Sequence, residues 1–532
     1  MCSYVSLQIS APHGSAPNEA TNTYVPNCAD AYLLTDIIRT YWARPDATHL
    51  TDCGAVWNMA KNNYYVANLT EAATVSINAG CDMNSNTITP TQLTLAVALG
   101  LVSEATVRAT AARVLAQRFR TGHFDPLETP AAQPLLALGA GDIGTAASRA
   151  IAADGVAQGL VLVKNANRAL PIAPGKRVAL LGPQGASFDA LVGDCYCGGY
   201  CAEGSACFPS LSQAIASANA GGQTVTIAGV TMKGNDSSWG AALAAVAATD
   251  VVILALGTDR SVAGEGNDRS DGIGLPGLQA AFGVAVLAAA AAAKVPVVLL
   301  LLHNLPVSFD ELVGVDAIVD AWAPLAYSDT VAAALFGKIN RWGKATMTVY
   351  PKAYASAISL FEFSMSKSPG RSYKYYDGSV GKPLIAFGEG KSYSTFALAC
   401  TGALPAFGPV VGLACNVSNT AGPDGDEVVM VYHRPSAAIV ARVNGAHPLP
   451  LRALVGFERV SIAAGATASV ALNLDVAEAL AFINEDGASV LYAGTHYLDI
   501  TNGNGANVTV SVLLEQSRQG IIKSPPKPRV AA

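Results

Sequence analysis

Between residues 159 and 336, short and almost wholly apolar runs alternate with segments of helical period, a rhythm that few architectures accept. Gly159 to Lys164 reads as an extended segment. Val178 to Gly182, Thr224 to Val230, Val251 to Gly257, Val295 to Leu302 and Ala317 to Trp322 then read as strands. Leu211 to Ala220, Trp239 to Thr249 and Gly277 to Ala293 read as helices between them, with Thr330 to Phe336 another after the last strand. Val, Ile and Leu runs without polar alternation belong to strands buried on both faces, so the spacing predicts a mostly parallel sheet covered by helices.

The rest of the chain divides around that block. A length of 532 residues exceeds what one hydrophobic core supports, so two or three domains are expected. Before the block, Ala29 to Tyr41 is apolar at helical spacing, Leu69 to Ala79 reads as a helix, and Ser103 is a candidate N-cap for a helix to Arg120 with Glu104 in its first turn. After residue 397 helical periods fade. Short alternating runs at Glu427 to Tyr432, Val460 to Ile462, Thr467 to Leu472, Ser489 to Tyr492 and Tyr497 to Ile500 point to a β-sandwich. Leu278 to Leu302 is long enough to test as a membrane span, but Lys294 and Pro296 divide it into a helix and a strand.

Composition excludes some classes. With 51% hydrophobic and 14% charged residues the chain is too apolar for disorder, and a net charge of -6 disfavours nucleic acid and offers no basic stripe to a membrane. No signal peptide opens it. Ten Cys and four sequons, at Asn68, Asn235, Asn416 and Asn507, nevertheless have a secretory look.

The stretch that carries chemistry is Thr48-His49-Leu50-Thr51-Asp52-Cys53-Gly54-Ala55-Val56. A β-prone run delivers one carboxylate, Asp52, into a small-residue turn, as barrel enzymes place reactive groups at strand ends. Turn and N-cap aspartates occupy such positions too. Met1-Cys2-Ser3-Tyr4, Cys28-Ala29-Asp30-Ala31-Tyr32-Leu33-Leu34 and the Asp52 stretch follow one another as in glycoside hydrolase family 3. The chain resembles that family, most closely its β-xylosidase and α-L-arabinofuranosidase branch. Leu162-Val163-Lys164-Asn165, Gly370 to Tyr376, Phe387 to Phe396, Gly425 to Val429 and Leu454 to Arg459 resemble it as well.

The resemblance implies an α/β multidomain fold: the end of a (β/α)8 barrel over 1–125, a linker over 126–144, an α/β sandwich over 145–396, a fibronectin type III-like domain over 397–515 and a tail over 516–532. It implies that Asp52 is the nucleophile of a retaining exo-β-glycosidase, that Tyr4 lies near it in substrate binding, and that no cofactor is required. The substrate class would be oligosaccharides or polysaccharides ending in β-xylosyl or arabinosyl residues. In the family the segment matching Met1 to Tyr4 is a late barrel strand. The chain thus reads as amino-terminally truncated or as an incomplete gene model, without the sugar-holding Asp, Arg and Lys-His pair of earlier strands and with little or no activity alone. In the full-length form the expected location is extracellular or secretory.

A retaining glycosidase needs a second carboxyl group about 5 to 5.5 Å from the first. The loop Asp259 to Arg269 would supply it through Glu265. The xylosidase branch commonly has two Glu there, two positions apart, and Ala263 stands at the first of those positions. A second departure is Ala321-Trp322-Ala323-Pro324-Leu325-Ala326, where the family has a Gly-rich turn after the Pro. Truncation and Ala263 favour a different class of function, a non-catalytic carbohydrate-binding or interaction protein on the same scaffold. Cys195, Cys197, Cys201 and Cys207 lack the paired spacing of a zinc site, the seven His show no ligand spacing, and no phosphate-binding glycine pattern follows a strand.

Overall fold

The structure, a computed structural model, describes residues 25–62, 64–85, 90–128, 133–188, 191, 208–235, 238–264, 267, 269, 272–324, 327–359, 362–403, 409–443, 445–485 and 487–520. Two compact units emerge, residues 1–143 with 522–532, and residues 144–521. Tyr4, Glu265, the clustered Cys195, Cys197, Cys201 and Cys207, and residues 521–532 of the expected tail lie outside the described residues, whereas Arg518–Gly520 of that tail is a strand.

The second unit holds the alternating block. Strands β1 (Val161–Asn165), β2 (Arg177–Leu181), β3 (Gln223–Ile227), β4 (Val251–Gly257), β5 (Val297–Leu302) and β6 (Ala317–Asp320) form one sheet in the order β1-β6-β5-β4-β2-β3. Five run parallel and β1 pairs antiparallel to β6. Every residue of β4, β5 and β6 is buried. Helices Leu211–Ala218, Trp239–Val246, Gln279–Ala293 and Ser328–Leu335 connect and cover the strands. Apolar side chains alternate between two cores, one on each face: Ile253, Val298 and Leu300 point one way, Leu254, Leu299 and Leu301 the other. The suspected membrane span divides at Lys294 as expected. That residue caps the helix Gln279–Ala293 in the left-handed conformation (φ 58°), and β5 follows. No helix among the described residues is long and apolar enough to cross a membrane.

The unit continues into a β-sandwich. One sheet has the order β10 (Ala453–Ile462), β9 (Gly425–Pro435), β14 (Gly494–Thr501), β15 (Asn507–Leu514), and the facing sheet the order β11 (Thr467–Asp475), β8 (Val410–Ala421), β7 (Thr395–Ala403). Leu413, Cys415 and Val417 alternate inward from β8 to meet Val429, Val431, Leu498 and Ile500. A disulfide joins Cys400 on β7 to Cys415 on β8. Short strands β12 (Phe482–Ile483), β13 (Ser489–Leu491) and β16 (Arg518–Gly520) form a third sheet. Two short helices, Ala437–Val443 and Val476–Ala479, interrupt a region expected to be all strand. Sandwich and α/β block are pinned by a buried ion pair, Lys344 Nζ to Glu427 Oε1 at 2.7 Å, by Arg341 on the Asp426 carboxylate at 2.8 Å, and by Arg459 of β10, which shares that carboxylate at 3.0 Å and donates to Arg341 O at 2.7 Å.

In the first unit, Ser103 caps the helix Glu104–Arg120 by accepting a hydrogen bond from Thr106 N at 3.0 Å. Asn68 caps Leu69–Ala79 by accepting from Glu71 N at 3.0 Å. The expected helix from Ala29 to Tyr41 is a short 3-10 turn, Asn27–Ala29, followed by the π-helix Tyr32–Tyr41. A small apolar core gathers Cys28, Leu34, Val56, Met59, Ala72 and Cys81.

Candidate functional site

Backbone pairing places Asp52. Leu50 bridges Met83 in parallel: Asp82 N and Met83 N donate to His49 O at 2.9 and 3.0 Å, and Thr51 N donates to Met83 O at 2.9 Å. Thr51 Oγ1 donates to Asn84 Oδ1 at 3.0 Å and accepts from Ser85 N at 2.9 Å, which fixes where the two strands end. The chain then turns through Gly54, whose φ of 77° suits a residue without a Cβ, into the helix Ala55–Lys61. Asp52 sits between strand and helix, half-buried. Its Oδ1 accepts from Cys53 N at 2.8 Å, and its Oδ2 has no hydrogen-bond partner among the described residues.

Under this strand end lies a charge cluster. Asp82, whose side chain is fully buried, accepts from Arg39 Nη2 at 2.6 Å, from Arg113 at 2.8 Å and from His49 N at 2.9 Å. The arrangement satisfies a carboxylate that would be prohibitively costly to bury alone. Asp82 therefore anchors the pair of strands, and Asp52 is the carboxylate left with an open oxygen. Burial first, then the Arg39 charge, hold the His49 imidazole below its usual range, while Nδ1 faces Gly80 O at 3.0 Å.

The second expected carboxylate belongs to the loop after β4. Asp259 Oδ1 accepts from Ser261 N at 2.9 Å and Ser261 Oγ at 2.6 Å, and Asp259 O accepts from Ala263 N at 2.9 Å. Gly264 and Asn267 then bridge antiparallel, with Glu265 one of the two residues between them. Ala263 is wholly buried, and its carbonyl accepts from Asn304 Nδ2 at 2.6 Å.

The loop leaves the sheet at a significant place. From β2 the chain passes to β3 on one side and then to β4 on the other, so strand order reverses between β2 and β4. Open α/β sheets bind ligands outside the carboxyl ends of their strands at such a reversal. Four adjacent strands deliver polar side chains there. Gln184 follows β2, Thr258 and Asp259 follow β4, His303 and Asn304 follow β5, and Asp320 ends β6 with Trp322 two residues on. His303 Nε2 lies 2.9 Å from Asp320 Oδ1, and the His303 and Trp322 rings are 4.8 Å apart. Sequence reasoning missed this pair, because its members are 17 positions apart on different strands and share no motif.

Comparison with known proteins agrees with this architecture. Residues 160–393 match the glycosyl hydrolase family 3 C-terminal domain, and residues 427–503 match the fibronectin type III-like domain. A β-D-xylosidase 1 of Arabidopsis thaliana is 31% identical over 521 residues, 89% of this chain and 63% of that protein. Residues 160–393 thus carry the C-terminal domain of glycoside hydrolase family 3. An exo-1,4-β-xylosidase of Emericella nidulans is also 31% identical, over 89% of this chain and 62% of its own length. Among solved structures, a family 3 exo-β-xylosidase in complex with a xylobiose aziridine activity-based probe aligns with a TM-score of 0.79 at 24% identity, covering 94% of this chain and 65% of that one. A β-glucosidase from Listeria innocua in complex with isofagomine aligns at 0.74 and 24% identity, covering 92% and 67%. The chain spans about 63 to 65% of the length of the first curated relatives it matches.

Proposed function

We propose that the protein acts as a retaining exo-β-glycosidase that removes terminal β-xylosyl, or arabinosyl, residues from oligosaccharides or polysaccharides of plant type. The observation that carries this reading is the Asp52 carboxylate, held at the end of a parallel strand by one backbone N–H on Oδ1 with Oδ2 left open. Asp52 is the nucleophile: Oδ2 bonds to the anomeric carbon as the glycosidic bond breaks, and water later releases the sugar. Glu265, on the loop after β4, is the acid that protonates the leaving oxygen and the base that deprotonates the water. Tyr4 assists in holding the sugar. The family 3 C-terminal domain and relatives named as xylosidases support the reading.

Ala263, fully buried where the branch commonly has its first loop Glu, favours a second reading: a carbohydrate-binding protein without catalysis. Hydrolysis of an aryl β-xyloside by the folded protein and by Asp52→Asn separates the two. The expected outcome is at most weak turnover by the native chain, since the sugar-holding residues of earlier strands are expected to be missing, and its loss in the variant, where removal of a catalytic nucleophile costs on the order of a thousandfold or more. Binding without turnover in both supports the second reading. We also place the protein in the secretory pathway. The Cys400–Cys415 disulfide and the exposed asparagines of all four sequons support that location.

A further inference from the structure

The fold treats the four sequons differently. Asn68 is committed as a helix cap: Oδ1 accepts from Glu71 N at 3.0 Å and Nδ2 donates to Glu71 Oε1 at 2.9 Å. Asn235 closes a turn in which Thr231 N donates to its carbonyl at 2.7 Å, and Ser237, the hydroxyl residue of that sequon, lies outside the described residues. Asn507 opens β15, the outermost strand of its sheet. Asn416 stands in mid-strand on β8, the central strand of its sheet, with β11 on one side and β7 on the other.

Pairing fixes the neighbours of Asn416. Ala399 on β7 and Ser469 on β11 lie opposite it. The row on one side is Ala397, Ser418 and Thr467, and the row on the other is Thr401, Ala414 and Ala471. All nine are exposed or half-buried, because the alternate residues Leu413, Cys415, Val417, Val470 and Leu472 take the core side. None of the nine is charged and eight are Ala, Ser or Thr, so the face lacks the Lys, Arg and Glu that keep exposed surfaces apart, and sheets with so little relief stack closely. Asn416 has the chemistry to carry a cover. It begins Asn416-Val417-Ser418, and its Oδ1 accepts from Ser469 Oγ at 2.8 Å. Nδ2, the atom that bears a glycan, is the end left without a hydrogen-bond partner among the described residues. Ala399 and Ala414 beside it leave room for a sugar ring and give its C–H face an apolar support.

We propose that Asn416 carries an N-linked glycan that lies over the outer face of the β11-β8-β7 sheet and keeps that face from stacking on other sheets. Attachment joins Nδ2 to the anomeric carbon of an oligosaccharide activated as its lipid diphosphate. The bond from that carbon to the diphosphate oxygen breaks, and the diphosphate takes the proton that Nδ2 gives up. Oδ1 is untouched, so the hydrogen bond from Ser469 survives. The proposal rests on the secretory placement of the chain and adds which sequon is used and what its glycan does.

The test is peptide mapping by mass spectrometry of the protein from its native source, before and after an amidase that releases N-glycans and leaves an aspartate where the modified asparagine stood. The peptide holding Asn416 is expected almost wholly in the glycosylated form. In a secreting eukaryotic host, Asn416→Gln and Ser418→Ala are expected to lose that glycan by independent routes, and Ser418→Thr, which keeps the sequon, to retain it. The two bare variants are expected to roughly double in apparent mass on light scattering while still folded, as exposed faces pair two copies. A bare Asn416 in native protein that is glycosylated at another sequon overturns the proposal and leaves the secretory placement standing. Four bare sequons in the native protein remove both. Folded bare variants that stay monomeric overturn the covering role of the glycan.

Discussion

The strands that carry Asp52 and five of the strands of the six-stranded sheet run parallel to their neighbours, yet they are held in different ways. Around Asp52 the strands meet at a short bridge, and the anchor is polar: Asp82 between Arg39 and Arg113, with His49 N on the same carboxylate. In the sheet, β4 to β6 bury every residue between two apolar layers. Helices differ likewise. Gln279–Ala293 buries Phe282, Val286 and Ala290, whereas Glu104–Arg120 leaves Leu115 45% and Phe119 64% exposed. The difference teaches that apolar period alone does not say how firmly a helix is fixed; what covers its apolar side does.

Substitutions can break that comparison. Phe282 is 0% exposed, lies edge-on to Trp239 at 5.3 Å and packs against Gly229. Phe282→Ala is expected to cost the second unit about 3–5 kcal/mol in urea unfolding followed by tryptophan fluorescence. A cost below about 1 kcal/mol would mean that the layers are far looser than their burial implies.

Acid sharpens the contrast. The β-sandwich buries two imidazoles with no carboxylate hydrogen-bonded to them among the described residues: His433 Nε2 meets His496 Nδ1 at 2.8 Å, and His496 Nε2 meets Tyr492 O at 2.8 Å. Burial first, then the neighbouring His496, pushes His433 down to about 3, and burial lowers His496. The unfolded chain takes up these protons below about pH 6.5 and the folded chain does not. The contribution of His433 is therefore complete above that pH and is lost as pH falls towards 3, at up to about 1.4 kcal/mol per pH unit, and the lowered His496 acts in the same direction. Melting of the second unit should move down between pH 6 and 4, and His433→Phe should flatten that slope. An identical slope in the variant would place the acid sensitivity elsewhere.

The smallest effect is expected on the other side of the comparison. Phe119→Ala should change the stability of the first unit by less than about 0.5 kcal/mol, as exposed substitutions do. A cost as large as that of Phe282→Ala would show that the exposed side of Glu104–Arg120 is covered in solution.

How much was legible in the sequence follows the same division. The sheet was readable because a strand buried on both faces must be apolar at every position, and β4 and β5 are. Ser103 was readable as a cap because N-capping depends on one side chain and its nearest N–H groups. Strands β7 and β8 were missed, though Leu413, Cys415 and Val417 alternate with exposed or half-buried residues, because Gly, Ala, Ser and Asn on the outer face blur the contrast. At the candidate site, the Asp52 turn was visible as a contiguous motif. The partners of Asp82, Arg39 and Arg113 on two helices, and the His303–Asp320 pair were not, since each contact joins residues of different elements that only the fold brings together.

The antiparallel strand β1 has a consequence for how the chain is made. It is the first strand of its sheet to leave the ribosome, but its partner β6 is the last, more than 150 residues later, and its far side bridges Lys391 through Leu162. Until those segments emerge, Val161 to Val163 must wait unpaired. A nascent chain halted before residue 317 would thus present a sticky apolar ribbon, so the vulnerable interval in synthesis of this protein is set by the distance from β1 to β6.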